Sequence, residues 1–161
     1  MDGDIYNPNS SMSVVSEGIT DFVLSFDLAQ FQRSKPADNI YFGFILGGSV
    51  GYGEACEGSM IIGMNLSKEL FISVDGKKVA SAQLSDALEI GDIHLNIVVQ
   101  DKQIRIFAGA IGGDSEQVLE YTDSVVRGGA FTFESVNART RIENVFIYGL
   151  QPGENYSEVI A

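Results

Sequence analysis

The chain has 161 residues, with 22 acidic side chains against 10 basic ones and a net charge of −12, a balance that repels phosphate backbones and anionic lipid and so excludes nucleic acid and membrane surfaces as partners. Hydrophobic residues make up 45% of it, enough for a single globular domain, yet no apolar run approaches the roughly 18 to 20 residues that span a bilayer, so no membrane insertion is expected. Cys56 is the only cysteine and His94 the only histidine, which excludes an intrachain disulfide and a multi-histidine zinc site and leaves Cys56 to be read as a buried thiol.

In chain order, residues 1–11 (MDGDIYNPNSS) are polar and turn-rich and read as a flexible arm. Strands are expected from Met12 onward. In DFVLSFDLA, Phe22, Leu24, Phe26 and Leu28 alternate with Val23, Ser25 and Asp27, the period of two that marks a strand with one face in a core. After the polar connection QFQRSKPADN, the run IYFGFILGG turns Ile40, Phe42, Phe44 and Leu46 inward and leaves Tyr41 and Gly43 on the opposite face. The glycine-rich loop GGSVGYGEACEGS lacks the Gly-Lys-Ser/Thr ending of a phosphate-binding loop. A strand over SMIIGMNL follows, then a hairpin at Asp75-Gly76 and a second turn at Asp101-Lys102. The only helical signal is one turn in SDALEI. VLEYTD is a further short strand, and residues 129–150, GAFTFESVNARTRIENVFIYGL, read as a closing hairpin of two antiparallel strands joined by a polar loop. About eleven short strands with turn residues between them argue for an all-β fold, a two-sheet antiparallel β-sandwich of jelly-roll type over residues 12–150. QPGENYSEVIA, residues 151–161, reads as a tail or linker.

Three pieces, in order, resemble the concanavalin A-like lectin/glucanase superfamily. IHLNIVVQDKQIRIFAG resembles that family's paired strands, VLEYTD with GGAFTFES its next strand, loop and glycine-led strand, and RIENVFIYGL its closing pattern. The likeness covers roughly the last two thirds of the chain and departs from the family at Ala108-Gly109, where an acid or amide is common. It implies a non-catalytic carbohydrate-binding module that anchors a parent secreted or cell-surface bacterial protein to a glycan, alongside other domains of a multidomain protein. The alternatives are an adhesion domain that binds protein, and a remote glycoside hydrolase. The resemblance also implies a structural calcium ion, for which Glu17, Asp21 and Glu143 are the candidate ligands, because the early and closing strands are neighbours in such sandwiches.

The residues themselves point less sharply. A retaining glycosidase needs two carboxyl groups about 5 Å apart, and the family's acids alternating along one strand are missing here, with Glu134 and Glu143 close only if the final hairpin pairs them. No nucleophile-elbow sequence supports a serine hydrolase, and His94 reads as a solvent-facing side chain. Sugar recognition needs aromatic faces together with directional polar groups. If residues 21–28, 40–46 and 58–66 share a sheet, Asp27, Tyr41, Asn65, His94 and Asn96 line one face of it. The loops give a second grouping: Glu134, Asn137, Arg139 and Arg141 around the closing loop, with Tyr52, Glu54 and Glu57 on the glycine-rich loop. Plain solvated charge is the competing reading for each of these residues.

Overall fold

The computed structural model describes residues 3–5, 9–16, 20–48, 60–124 and 129–160. Glu17, Tyr52, Glu54, Cys56 and Glu57 lie outside the described residues. The strands are β1 (Gly3–Ile5), β2 (Asn9–Ser16), β3 (Phe22–Arg33), β4 (Tyr41–Gly48), β5 (Met60–Asn65), β6 (Glu69–Val74), β7 (Lys77–Gln83), β8 (Ile93–Gln100), β9 (Gln103–Gly109), β10 (Ser115–Thr122), β11 (Gly129–Val136) and β12 (Ala138–Gly149), followed by a short helix α1 (Tyr156–Ile160). They form two antiparallel six-stranded sheets. Sheet I has the order β1-β12-β3-β8-β9-β10 and sheet II the order β2-β11-β4-β5-β6-β7. Each sheet therefore has five strands from residue 22 onward and one edge strand from the first sixteen residues. The strand beyond the expected eleven is β1, inside the stretch read as an arm. Among the described residues no helix is long and apolar enough to cross a membrane.

The period-two reading of the sequence is what the sheets obey. Phe22, Leu24, Phe26 and Leu28 of β3 face Phe42, Phe44 and Leu46 of β4 across one core, joined by Met60, Ile62 and Met64 of β5 and Ile93, Leu95 and Ile97 of β8. Phe133, fully buried, sits at the centre of an aromatic group: its ring centroid is 5.5 Å from Phe26, 5.9 Å from Phe42 and 5.2 Å from Phe44. Edge-to-face and offset contacts of this kind add about 0.5–1.5 kcal/mol per pair beyond area burial. Both short turns form as expected. Asp75 and Gly76 have φ of 50° and 79°, and Asp101 and Lys102 have φ of 52° and 65°, the left-handed pair that a two-residue hairpin of matching twist requires.

The closing segment is not a hairpin. β11 pairs with β2 and β4 in sheet II, whereas β12 pairs with β1 and β3 in sheet I. The chain crosses from one sheet to the other at Asn137, whose φ of 53° makes the corner. Ser135 closes it from inside the core, its hydroxyl donating to the Ala138 carbonyl at 2.8 Å and lying 2.8 Å from the Thr140 hydroxyl. Two consecutive amphipathic strands match a hairpin and a sheet-crossing corner equally well, because both bury alternate residues. Residues 151–160 fold back onto sheet I. Asn155 caps α1 by accepting from the Ser157 amide at 3.0 Å. Tyr156 packs on Phe107 with ring centroids 6.0 Å apart, and Val159 and Ile160 join it over the buried Val23, Val98 and Leu150.

Candidate functional site

The outer face of sheet II holds a cleft of about 440 Å³, within the roughly 300–1,000 Å³ typical of small-ligand sites. The rings of Tyr41 and Phe71 line it, and they lie over two glycines. A Cβ on Gly63 would meet Cζ of Phe71 at 2.5 Å, and one on Gly43 would meet Cε2 of Tyr41 at 3.2 Å. Gly43 and Gly63 are cross-strand partners, and Gly63 in turn pairs with Phe71. Two side-chain-free positions side by side let two rings lie over the sheet instead of standing off it. Tyr41 and Phe71 meet edge to face at 5.7 Å.

Polar groups surround the rings. Lys78 pairs with Glu69 at 2.9 Å and sits 5.8 Å from the Phe71 centroid, a cation–π distance. Asn65 donates to Glu69 at 3.1 Å, while its own side-chain oxygen accepts from the Ser67 and Glu69 amides at 3.0 and 3.2 Å and so fixes the β5–β6 turn. Behind the rings the Tyr41 hydroxyl donates to the buried Glu134 carboxylate at 2.5 Å. Burial first, and then the bond to Glu134 and its negative charge, push the Tyr41 phenol far above its usual value of 10.0. Tyr41 is therefore neutral, and its ring is held in one orientation. Asp38 and Asn39 form the rim. Asn39 is tied to the sheet-crossing corner, its carbonyl accepting from the Asn137 amide side chain at 2.7 Å.

The outer face of sheet I carries a different constellation. Asp27, 7% exposed, takes His94 Nδ1 at 2.6 Å on one oxygen and the Asn144 amide at 2.8 Å on the other. Ser25 donates its hydroxyl to the side-chain oxygen of Asn96. Asn144, with φ of 53°, stands where β12 slips register against β3. That bulge lets its amide reach back to Asp27.

The sequence groupings are divided by this architecture. Strands β4 and β5 lie in sheet II and β3 in sheet I, so Tyr41 and Asn65 are on the opposite side of the molecule from Asp27, His94 and Asn96. The closing-loop group separates in the same way. Glu134 belongs to the sheet II face, Asn137 to the corner, and the exposed Arg139 and Arg141 alternate with inward Ala138, Thr140 and Ile142 on sheet I. Glu134 and Glu143 are likewise in different sheets and do not face each other across a hairpin. His94 is not a bare surface histidine, because Asp27 holds it. The calcium set does not assemble either. Glu143 is opposite Asp27, and Asp21 lies six residues before Asp27, which at about 3.3 Å per residue separates the two acids by roughly 20 Å, too far for one ion with ligands at about 2.4 Å. Asp21 instead accepts from the Asp101 amide at 3.3 Å. Among the described residues, no group of three or more His, Cys, Asp or Glu side chains could hold a metal ion.

Sequence reasoning missed Glu69, Lys78, Asp38 and Asn39. The legible signal was the glycine pair, since Gly43 and Gly63 interrupt strands whose other residues are bulky. Lys78 and Glu69 could have been found from the Asp75-Gly76 turn, which folds β7 onto β6.

No family model and no curated protein sequence matches this chain. Solved structures do. The exoplasmic/lumenal domain of VIP36, solved with Ca2+ and Man3GlcNAc bound, aligns with a TM-score of 0.67 at 9% identity over 95% of this chain and 79% of that one. A legume lectin-like domain from Entamoeba histolytica aligns at 0.62 and 13% identity over 90% and 81%. The carbohydrate-binding module CBM66 from Bacillus subtilis aligns at 0.61 and 13% identity over 89% and 84%. At these identities the likeness is one of architecture: the chain has a concanavalin A-like lectin/glucanase-type fold.

Proposed function

We propose that this chain is a non-catalytic carbohydrate-binding module and that the sheet II cleft takes the glycan. The observation that carries the reading is the pair of rings, Tyr41 and Phe71, laid over Gly43 and Gly63 beside Glu69, Lys78 and Asn65. A pyranose or furanose ring has an apolar C–H face and an edge of hydroxyls. An aromatic platform bordered by a fixed carboxylate, ammonium and amide matches that pattern, because hydroxyl recognition needs directional donors and acceptors. Binding without hydrolysis is favoured because the acids beside the rings are engaged, Glu69 by Lys78 and Asn65 and Glu134 by Tyr41, which leaves Asp38 at the rim as a single carboxylate where glycoside hydrolysis takes a pair. A general acid or a nucleophile must be available to the scissile bond. The alignments with a mannose-oligosaccharide-bound domain and a carbohydrate-binding module support the same class of ligand.

In this reading the module anchors a secreted or cell-surface parent protein to a glycan. The test is a glycan array followed by isothermal titration of the hits, with and without added calcium, and a parallel assay of reducing-sugar release. Binding without sugar release is the expected result. Release that is lost in Glu69→Gln would make the chain a hydrolase, and no binding to any glycan at millimolar concentration would remove the proposal.

A further inference from the structure

The sheet I face has a cleft of its own, of about 450 Å³, lined by His94, Asn96, Phe107, the Gly113–Ser115 loop and Ile160 at the end of α1. We infer that it is a second saccharide-binding site, on the opposite face of the sandwich from the first. Its polar floor is held from behind by a buried network. A carboxylate oxygen accepts only, so the 2.6 Å contact with Asp27 fixes a proton of His94 on Nδ1 and turns Nε2 away from Asp27 as the ring's second polar atom. Asn96 is oriented the same way: its oxygen accepts from Ser25, which leaves its amide hydrogens as the donors it offers. An imidazole nitrogen and an amide donor thus line the cleft side by side.

One wall, Phe107 with Ile160, is apolar. Phe107 is the cross-strand partner of Asn96, and its ring is braced by Tyr156. The loop at the rim is drawn tight over Gly109, where a Cβ would come within 2.1 Å of the Asp114 carbonyl oxygen. It is pinned by the Ile111 amide donating to Asp92 at 3.2 Å and by the Gly113 amide donating to Ala110 at 2.9 Å. Beyond the floor, register carries the row on through Asn96 and Ser25 to Phe146. Phe146 is 47% exposed and stacks on Tyr148 at 6.2 Å. The row from Phe107 to Phe146 crosses three strand spacings, roughly 14 Å, a polar strip bounded by an aromatic side chain at each end.

The ligand class follows from charge. Asp27 is buried with both oxygens engaged, so it offers no site for a cation, and it stands behind the floor with Asp114 at the rim in a chain of net charge −12, which disfavours anions. Directional polar groups beside an aromatic wall suit an uncharged polyhydroxylated ring.

The test is a two-dimensional ¹H–¹⁵N spectrum of the whole chain titrated with mannotriose, xylotriose, laminaritriose and an inulin-type fructotriose. The expected result is that at least one of them shifts the amides of His94, Asn96, Phe107 and Ser115 in a saturable way, and that His94→Ala weakens that site at least tenfold while leaving shifts at Tyr41 and Phe71 unchanged. If His94→Ala does not fold, the wild-type shift map still decides. Shifts confined to Tyr41, Phe71 and Lys78 would overturn the second site and leave the first standing. Shifts at neither face would overturn both.

Discussion

The two outer faces build a cleft by different means. On sheet II, space is made by what the backbone lacks: Gly43 and Gly63 let Tyr41 and Phe71 lie over the strands. On sheet I, the polar floor is positioned by what is buried beneath it, with Asp27 holding His94 and Asn144. The first face can be disturbed by adding a single methyl group and the second by removing one carboxylate. The two faces share one device, a carboxylate that is almost wholly buried behind a more exposed ring: Glu134 behind Tyr41 and Asp27 behind His94.

The largest effect is expected where both faces depend on one residue. Phe133→Ala removes the centre of the aromatic cluster between the sheets and should cost about 3–5 kcal/mol in urea denaturation, with native-state signals lost from Tyr41 and His94 in one transition. Separate transitions for the two faces would mean that the core does not couple them. Gly63→Ala should separate the faces. The new methyl group displaces the Phe71 ring, which is only partly buried and is free to swing outward. The cost in stability is therefore small, about 1 kcal/mol from lost ring contacts, while glycan affinity at sheet II falls and the amide shifts of His94 and Asn96 stay in place.

The smallest effect is alkaline. In the fold the Tyr41 phenol stays neutral, while in the unfolded chain it ionises near 10.0. The unfolded state therefore binds fewer protons above that pH, so the contribution of this group is full below it and is lost progressively as pH rises beyond it. Urea midpoints measured at pH about 9 and about 11 should fall more in wild type than in Tyr41→Phe. An equal fall in both would show that the Tyr41–Glu134 pair is not the cause.

Much of this architecture was legible in the sequence, for a physical reason. Alternation along Phe22–Leu28, Phe42–Leu46 and Met60–Met64 reports burial directly, and Asp75-Gly76 and Asp101-Lys102 have the chemistry of two-residue hairpin turns. Which strands share a sheet is not written in alternation. Residues 129–150 alternate whether they pair with each other or part company at Asn137, and that ambiguity placed Glu134 with Arg139 and Arg141 when the two sheets keep them apart. The same gap hid Asp27, His94 and Asn144, which are distant in sequence and meet only through the order β12-β3-β8. Tyr41 was visible because one strand is enough to give its face. Glu69 and Lys78 were not, because their role depends on Phe71 lying over Gly63, two strands from Tyr41.

The central claim is that the Tyr41–Phe71 platform binds sugar. Its most direct measurement is isothermal titration of wild type and Phe71→Ala with the tightest glycan from the array, with both proteins shown to have the same thermal unfolding midpoint. The expected result is at least a tenfold loss of affinity in Phe71→Ala, about 1.4 kcal/mol. Equal affinity in the two proteins would contradict the account and move glycan recognition away from sheet II.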